Sequence, residues 1–563
     1  MKAMYGIISK RSDRDSLLNK MISQTNTQIP ESKYHIATKT ASIDLLARST
    51  QEKETTFYEK DNLAIAVIGR IFHKNFPRKK IFSFLIDIYE KNQLRRIGEC
   101  LGEFNVLIVD SNKDSITLIS DYLSIRPLFY YNDNGTFIFG SDVWPMIACG
   151  CIPHELNLDT FCSWLTLGHT LRNSSLFRHL QKMSPSSILV YSEGKLKQEQ
   201  YNSFNFNERP TSENEAVETI HHLVSDSCKQ MTTDEDIMGC FLSGGFDSRY
   251  VLGLLQEKIH HLDIYIVNGD SADEEAARLV VETLGLSAIV YECPNSLYDL
   301  YNPPQHFAPW GFPMGKFYTI LPVQKYNIHT LLADGLLGDD IIRSYDYEER
   351  ILKLSHDYNS LSEGLYISHL ARDPGTIFQS GLSQRIKART LAQIGEFCNI
   401  VEGSEERRGY LWLLLNRKNN YHTNNHLQYL DYTETIHPFV SKDLIEYRLQ
   451  TPAKLFRKEF YRKILQRYFP KIGSLPHSSE LEMKYDAANR FSHYFRKKTP
   501  KVIAEILKES GNEIFKTKWL IPRIILYFSG YTGNQYLVKY LWSLILLLDR
   551  LKKANIPIRW NDI

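Results

Sequence analysis

The segment that most constrains this chain is Phe241-Leu-Ser-Gly-Gly-Phe-Asp-Ser-Arg249. It closes a short apolar run, Ile237 to Leu242, of the length and character of a buried parallel strand, and it opens a stretch able to form a helix. In a glycine turn between a strand and a helix, successive backbone N–H groups point outward, and the glycines let the backbone approach a phosphate group closely. The hydroxyls of Ser243 and Ser248 add donors. Asp247 has the wrong charge to attract phosphate and makes sense as a ligand for Mg2+, which offsets phosphate charge. No Gly-Lys-Ser/Thr follows, so this is not a Walker A loop.

The surroundings repeat the strand–helix alternation. Glu215 to Met231 has helical periodicity, Leu262 to Val267 reads as a second strand, Glu274 to Leu284 as a second helix and Thr330 to Ala333 as a third strand. Such alternation predicts an α/β domain with a parallel sheet and right-handed crossovers. Beyond Glu348 the pattern is mainly helical. Residues 1–205 differ: Leu63–Ile68, Phe104–Val109, Ser115–Ile119, Leu128–Tyr131 and Thr136–Phe139 are short, rich in β-branched and aromatic residues and separated by turns. Asn132-Asp-Asn-Gly135 is a hairpin signal. A polar stretch from Tyr201 to Pro210 marks the change of texture. The expected fold class is thus mixed α/β and α+β, with a β-rich domain over 1–205 and a parallel-sheet domain with C-terminal helices over 206–563.

Composition excludes several classes. The 563 residues carry a net charge of +2, with 43% hydrophobic and 23% charged residues, so no global bias points to nucleic acid, a membrane surface or disorder. The eight cysteines are scattered without a CxxC pair, and Cys149 with Cys151 falls short of a zinc site, which predicts reduced thiols and a cytoplasmic address. Leu541–Leu548 is far shorter than the ~20 residues that span a bilayer and reads as a buried helix. The adjacent pairs His221-His222 and His260-His261 do not share a helix face and have no partner at ligand spacing. The basic stretch Arg496–Lys501 reads as a solvated turn.

Ser243-Gly-Gly-Phe-Asp-Ser248 resembles the pyrophosphate loop of the ATP-pyrophosphatase enzymes. Val267–Ala277 resembles the second strand and helix of the asparagine synthase family, and Asp334-Gly-Leu-Leu-Gly-Asp-Asp340 its Ser-Gly-Glu-Gly-x-Asp-Glu segment. Asp121–Tyr131, Gly140–Asp142 and Tyr432–Leu455, with Glu434 and Pro438-Phe439, extend the likeness over nearly the whole chain. The resemblance implies an Ntn-hydrolase-like glutaminase domain followed by an adenine-nucleotide α-hydrolase-like synthetase domain. It implies ATP and Mg2+, with Ser243, Gly244, Gly245, Asp247 and Ser248 on the pyrophosphate and Asp247 and Asp339 on the metal. Leu242, Val267, Asp334 and Gly335 would surround the adenosine.

Departures from the family pattern matter as much. Members that use glutamine begin Met-Cys-Gly-Ile; Met4-Tyr-Gly-Ile7 places Tyr5 where the nucleophile belongs, and the Asn-Gly-Glu substrate motif appears as Ile68-Gly-Arg70. A phenol with a pKa near 10 is a poor nucleophile at neutral pH, so no glutamine hydrolysis is expected. The acidic residue of the Ser-Gly-Glu-Gly segment falls at Leu336, and the family's late lysine falls near Ser478, with Lys484 close by. Glu434 is retained at a position where lactam-forming relatives use a base. The chain looks nearer to members lacking the cysteine, such as β-lactam synthetases and lasso-peptide cyclases. The implied activity is adenylation of a carboxylate and its transfer to an amine, with Asp247 and Glu434 as catalytic residues. The expected partners are a small-molecule or peptide substrate, with no nucleic acid and no membrane, and with room for a homodimer. An asparagine synthase running on free ammonia and a degenerate nucleotide-binding homologue remain as alternatives.

Overall fold

The computed structural model describes residues 3–25, 32–47, 56–204, 206–268, 271–292, 331–422, 433–481, 488–529 and 534–563. Among the described residues of the first 200 there are twelve strands: β1 (Ala3–Ile8), β2 (Ser32–Ala37), β3 (Ala41–Ala47), β4 (Phe57–Lys60), β5 (Leu63–Phe72), β6 (Leu101–Asp110), β7 (Ser115–Ser120), β8 (Phe129–Asp133), β9 (Thr136–Gly140), β10 (Gln181–Lys182), β11 (Ser187–Ser192) and β12 (Lys195–Gln200). They form two six-stranded antiparallel sheets, ordered β10-β8-β9-β1-β3-β2 and β12-β11-β7-β6-β5-β4.

Alternation along β1 shows how the layers stack, because successive side chains leave opposite faces of a strand. Met4 and Ile8 join Ile43, Leu45, Ala66, Ile68, Leu107 and Phe139 in the core between the sheets. Tyr5 and Ile7 face the other way, into a second core shared with helix Leu158–Leu167 and the C-terminal helices. On the far side, helix Ile81–Glu90 packs Phe84, Leu85 and Ile88 against Val67 and Val106. The hairpin expected at Asn132–Gly135 joins β8 to β9, with Asn134 and Gly135 at positive φ (47° and 73°), as a two-residue hairpin turn requires.

The third sheet is five-stranded and parallel, ordered β15-β14-β13-β16-β17, from β13 (Ile237–Phe241), β14 (His261–Asn268), β15 (Ile289–Glu292), β16 (Leu332–Ala333) and β17 (Thr435–Ile436). Helices Phe246–Leu255 and Ser271–Leu284 supply the β13–β14 and β14–β15 crossovers, helix Glu213–Thr232 precedes β13, and a core including Val224, Met238, Leu252, Ile264 and Ile341 joins the layers.

Three features depart from the sequence reading. β15 and β17 were invisible as strands: one is an edge strand of four residues, the other pairs through only two. Arg496–Lys501 is not a turn but lies inside helix Ala488–Ile514, which continues through Pro500. Its charges lie over aromatic faces, Arg496 at 5.8 Å from the Tyr527 centroid and Lys501 at 5.5 Å from that of Trp542. Leu541–Leu548 is buried or nearly so within helix Gln535–Lys553, and among the described residues no helix is long and apolar enough to cross a membrane. The cysteines of the described residues are free thiols; Cys293 lies outside them. His221 is structural, accepting or donating a 2.9 Å hydrogen bond with the Tyr250 hydroxyl and stacking on Tyr468.

Candidate active site

Strand order locates the site. From β13 the chain moves to β14 and β15 on one side, then returns to β16 and β17 on the other. In an open parallel sheet, the crevice outside the carboxyl ends at such a reversal is where ligands bind. The carboxyl end of β13 feeds Leu242–Ser248, and that of β16 feeds Asp334–Asp340. Leu242 remains tied to the sheet, its N–H donating to the Tyr265 carbonyl at 2.9 Å. Gly245 is extended (φ −81°, ψ 167°), and the helix begins at Phe246.

The loop donors differ from the simple outward-pointing picture. Ser243 N–H donates to Ser248 Oγ at 3.1 Å, Gly245 N–H to Ser243 Oγ at 3.3 Å, and Gly244 N–H to Asp273 Oδ1 at 2.8 Å. Partly buried backbone donors find partners, and here nearby side chains supply them. A carboxylate oxygen on Gly244 N–H shows that this donor accepts an anion. A bound polyphosphate would compete with Asp273 for it.

Asp247 and Asp339 meet across the crevice. The backbone N–H of Asp339 donates to Asp247 Oδ2 at 3.0 Å. Glycines make the approach possible: a Cβ at Gly335 would sit 2.5 Å from Asp247 Cβ, and one at Gly338 2.5 Å from Asp247 Oδ1. Asp247 Oδ1 is shielded from solvent and has no hydrogen-bond partner. Burial, and then the charge of Asp339, push the Asp247 carboxyl well above the usual carboxylate range. The Tyr461 hydroxyl faces the same carboxyl. Arg343 holds Asp339 Oδ2 at 2.7 Å. A hard divalent cation fits this set: a carboxylate oxygen lacking a donor, a second carboxylate beside it, and a pKa perturbed in the sense that a cation corrects. Among the described residues no group of three or more ligating side chains occurs. Magnesium in phosphate sites is held by one or two carboxylates together with the phosphates, so two suffice.

Leu242, Ser243, Gly244, Gly245, Asp247, Ser248, Val267, Asp334, Gly335 and Asp339 all lie at or just beyond the carboxyl ends of β13, β14 and β16. Asp334 N–H donates to the Ile436 carbonyl at 3.0 Å, which extends the β16–β17 pairing into the site. Glu434 is placed otherwise. It precedes β17, and its Oε2 accepts a 2.6 Å hydrogen bond from Arg126 of the first half. Burial alone would raise its carboxyl, but Arg126, with Arg70 and Arg78, holds it down to about 2. In this arrangement Glu434 is the ion-pair partner of Arg126, and a carboxylate so stabilised is a weaker proton acceptor than a free one.

Several residues were not legible as site components. Arg249, fully buried, reaches from the loop to the Leu475–Pro476 segment. Burial lowers its guanidinium only to about 10, so it is charged at neutral pH. Ser478, where the family has lysine, donates its N–H to the Gly244 carbonyl at 3.2 Å; Lys484 lies outside the described residues. Leu336, where the family has an acid, packs against the core. The sequence signal for Arg249 was a basic residue immediately after the loop motif, but its partners lie 226 and 227 positions away.

In the first half, the positions where the resemblance places the glutaminase nucleophile and substrate motif are packed or paired. The Tyr5 ring is 2% exposed, in the core behind β1, where a Cβ at Gly140 would come within 2.6 Å of it. Arg70 pairs with Glu235 of the second half at 2.6 Å. Gly69 is at φ +86°, and a Cβ there would meet Arg126 Nε at 2.4 Å. This stretch of β5 and the Arg126 beside it therefore link the two halves through Glu235 and Glu434.

Fold and site define a two-part α/β protein: an antiparallel double-sheet layer joined to a parallel sheet that carries a phosphate-type loop and an acidic pair at its switch point. The asparagine synthase family model matches residues 219–547, more than half of the chain, and a glutamine amidotransferase domain matches residues 83–202. The chain belongs to the asparagine synthase family. It is 27% identical over 269 residues to "Putative asparagine synthetase [glutamine-hydrolyzing] 2" of Methanocaldococcus jannaschii, covering 44% of this chain and 51% of that one. It is 25% identical over 284 residues to "Asparagine synthetase [glutamine-hydrolyzing] 1" of Bacillus subtilis, covering 48% and 44%. The chain thus spans about half the length of these curated relatives.

Proposed function

We propose that this chain is an ATP-dependent carbon–nitrogen ligase that adenylates a substrate carboxylate and passes it to an amine, without hydrolysing glutamine. The observation that carries the reading is the juxtaposition of Asp247 and Asp339 beside the Ser243–Ser248 loop, with Asp247 Oδ1 buried and lacking a donor. Membership of the asparagine synthase family supports it.

Asp247 and Asp339 would hold Mg2+, which when bound neutralises charge on the polyphosphate. The Ser243, Gly244 and Gly245 amides and the Ser243 and Ser248 hydroxyls would hold the β- and γ-phosphates, exchanging their present side-chain partners for phosphate oxygens. Leu242, Val267, Asp334 and Gly335 would frame the adenosine. A carboxylate oxygen of the substrate attacks the α-phosphorus, an O–P bond forms, and the bond between the α- and β-phosphates breaks to release pyrophosphate. An amine then attacks the acyl carbon, AMP leaves with the bonding pair, and the amine proton passes to solvent or a substrate group. Positioning and fixed charge supply the acceleration.

With Tyr5 in the core and Arg70 and Arg126 engaged by Glu235 and Glu434, the amine is free ammonia, a second substrate or a group of the same molecule. A small molecule or peptide bearing a carboxylate is the substrate class. The test is calorimetric titration with ATP, with and without Mg2+, on the intact protein and on Asp247→Ala. Magnesium-dependent binding abolished by the substitution supports the ligase, and a substrate screen for AMP release follows. Absence of binding by the folded protein would sink the reading and leave a degenerate homologue.

A further inference from the structure

Arg249 is 0% exposed, and among the described residues the hydrogen-bond partners of the guanidinium at its end are backbone carbonyls: Gly244 at 3.0 Å, Leu475 at 3.0 Å, and Pro476. Among the described residues no carboxylate lies within ion-pairing distance of it, and its Nε is buried without an acceptor. A buried charge without a counterion is costly. The fixed dipoles of carbonyls reduce that cost without cancelling the charge. This charge lies against the carbonyl side of Gly244, whose N–H already takes a carboxylate oxygen from Asp273.

Two of the carbonyls that Arg249 holds, those of Leu475 and Pro476, belong to a segment folded over the loop. Ser478 N–H donates to the Gly244 carbonyl at 3.2 Å, and a Cβ on Gly244 would lie 2.6 Å from Ser478 Cβ. His477 packs edge-on against Phe246 at 4.8 Å. Glu480 accepts from Lys458 at 2.9 Å, and from Arg462, which itself lies 5.5 Å from the Phe246 centroid. Arg249 thus hydrogen-bonds both the backbone of the glycine loop and the start of this flap, Leu475–Leu481.

We infer that Arg249 is a positioning residue for polyphosphate: it pins the Leu475–Leu481 flap onto the Ser243–Ser248 loop and places an uncompensated positive charge behind Gly244, so that a bound polyphosphate completes the charge balance. The inference rests on the nucleotide reading of the loop. Arg249 touches the loop backbone and not the reacting atoms, so it acts through the loop's shape and potential.

The experiment compares the intact chain with Arg249→Met, which keeps the bulk, and Arg249→Lys, which keeps the charge but not the three-carbonyl fork. Two readouts are taken: calorimetric affinity for MgATP, magnesium pyrophosphate and AMP, and amide hydrogen exchange across 475–481. Arg249→Met is expected to weaken MgATP and magnesium pyrophosphate alike by about tenfold or more, as loss of charge-assisted bonds does, with AMP little changed. Exchange in the flap speeds up in both variants, and Arg249→Lys retains part of the affinity. Arg249→Met within twofold of the intact chain for both polyphosphates would overturn the charge role, and unchanged flap exchange would overturn the pin. If Arg249→Met does not fold, Arg249→Lys carries the test: normal exchange and normal affinity together overturn the inference. If the intact chain binds no polyphosphate, the ligase reading fails with the charge role, while the exchange data still decide the pin.

Discussion

Arg126 Nη2 lies 2.6 Å from Glu434 Oε2, joining positions 308 residues apart. The two side chains are 5% and 17% exposed. Arg126 is seated over Gly69 in the first half, and Glu434 leads into β17, the strand that pairs with β16 just before Asp334–Asp340. A chain of contacts therefore runs from the Gly69–Arg70 region of the first half to the edge of the acidic site, joined by the Arg70–Glu235 pair. Both ion pairs tie the first half to the second.

Removing one partner of a buried pair leaves a charge without compensation, which costs about 3–5 kcal/mol. Arg126→Ala should therefore lower unfolding stability by about that amount, and Glu434→Gln by less, since the amide can still accept from Arg126. A double-mutant cycle by urea denaturation should show coupling of about 1 kcal/mol or more. Additive effects would mean that the pair does not join the halves.

The same pair sets an acid dependence. The Glu434 carboxyl is depressed from 4.5 to about 2 in the folded protein. A depressed carboxyl contributes stability that is full above the unfolded value and is lost as pH falls through the folded one. The stability difference between the intact chain and Glu434→Gln should thus be constant above about pH 5 and shrink between pH 4.5 and 2. Denaturation at a series of pH values measures it, and a difference that grew on acidification would contradict the assignment.

Gly338→Ala places a methyl 2.5 Å from Asp247 Oδ1 and 3.0 Å from the Phe439 ring. Overpacking of this kind costs about 1–3 kcal/mol, and the carboxylate must move. Magnesium-dependent ATP affinity should fall by about tenfold or more, with a lower melting temperature. Gly381→Ala is the control, because its added methyl meets nothing closer than 3.6 Å.

Glutamine should yield neither glutamate nor ammonia. Tyr5→Cys should not restore hydrolysis, because the side chain at that position enters the core behind β1. The lost ring should cost about 3 kcal/mol. Glutamate release by the variant, measured in an enzyme-coupled assay, would show that the strand can present a nucleophile after all.

Much of this protein was written locally. The pleat of β6, the turn at Asn134-Gly135, the apolar run of β13 and the glycines and Asp247 of the loop after it depend on residues within a few positions of one another. Backbone sterics, strand periodicity and the reach of a loop to a phosphate are short-range properties, so the alternation of elements and the place of the loop were readable in order along the chain. Strand order, and with it the switch point that brings Asp339 to Asp247, was a matter of tertiary structure, as was the pairing of the two-residue β17. So were the partners of Arg249 and Glu434: a guanidinium or carboxylate in a sequence does not state whether solvent, an ion or a carbonyl hundreds of positions away will meet it. Packing decides that, because the worth of a charge depends on which groups are buried with it.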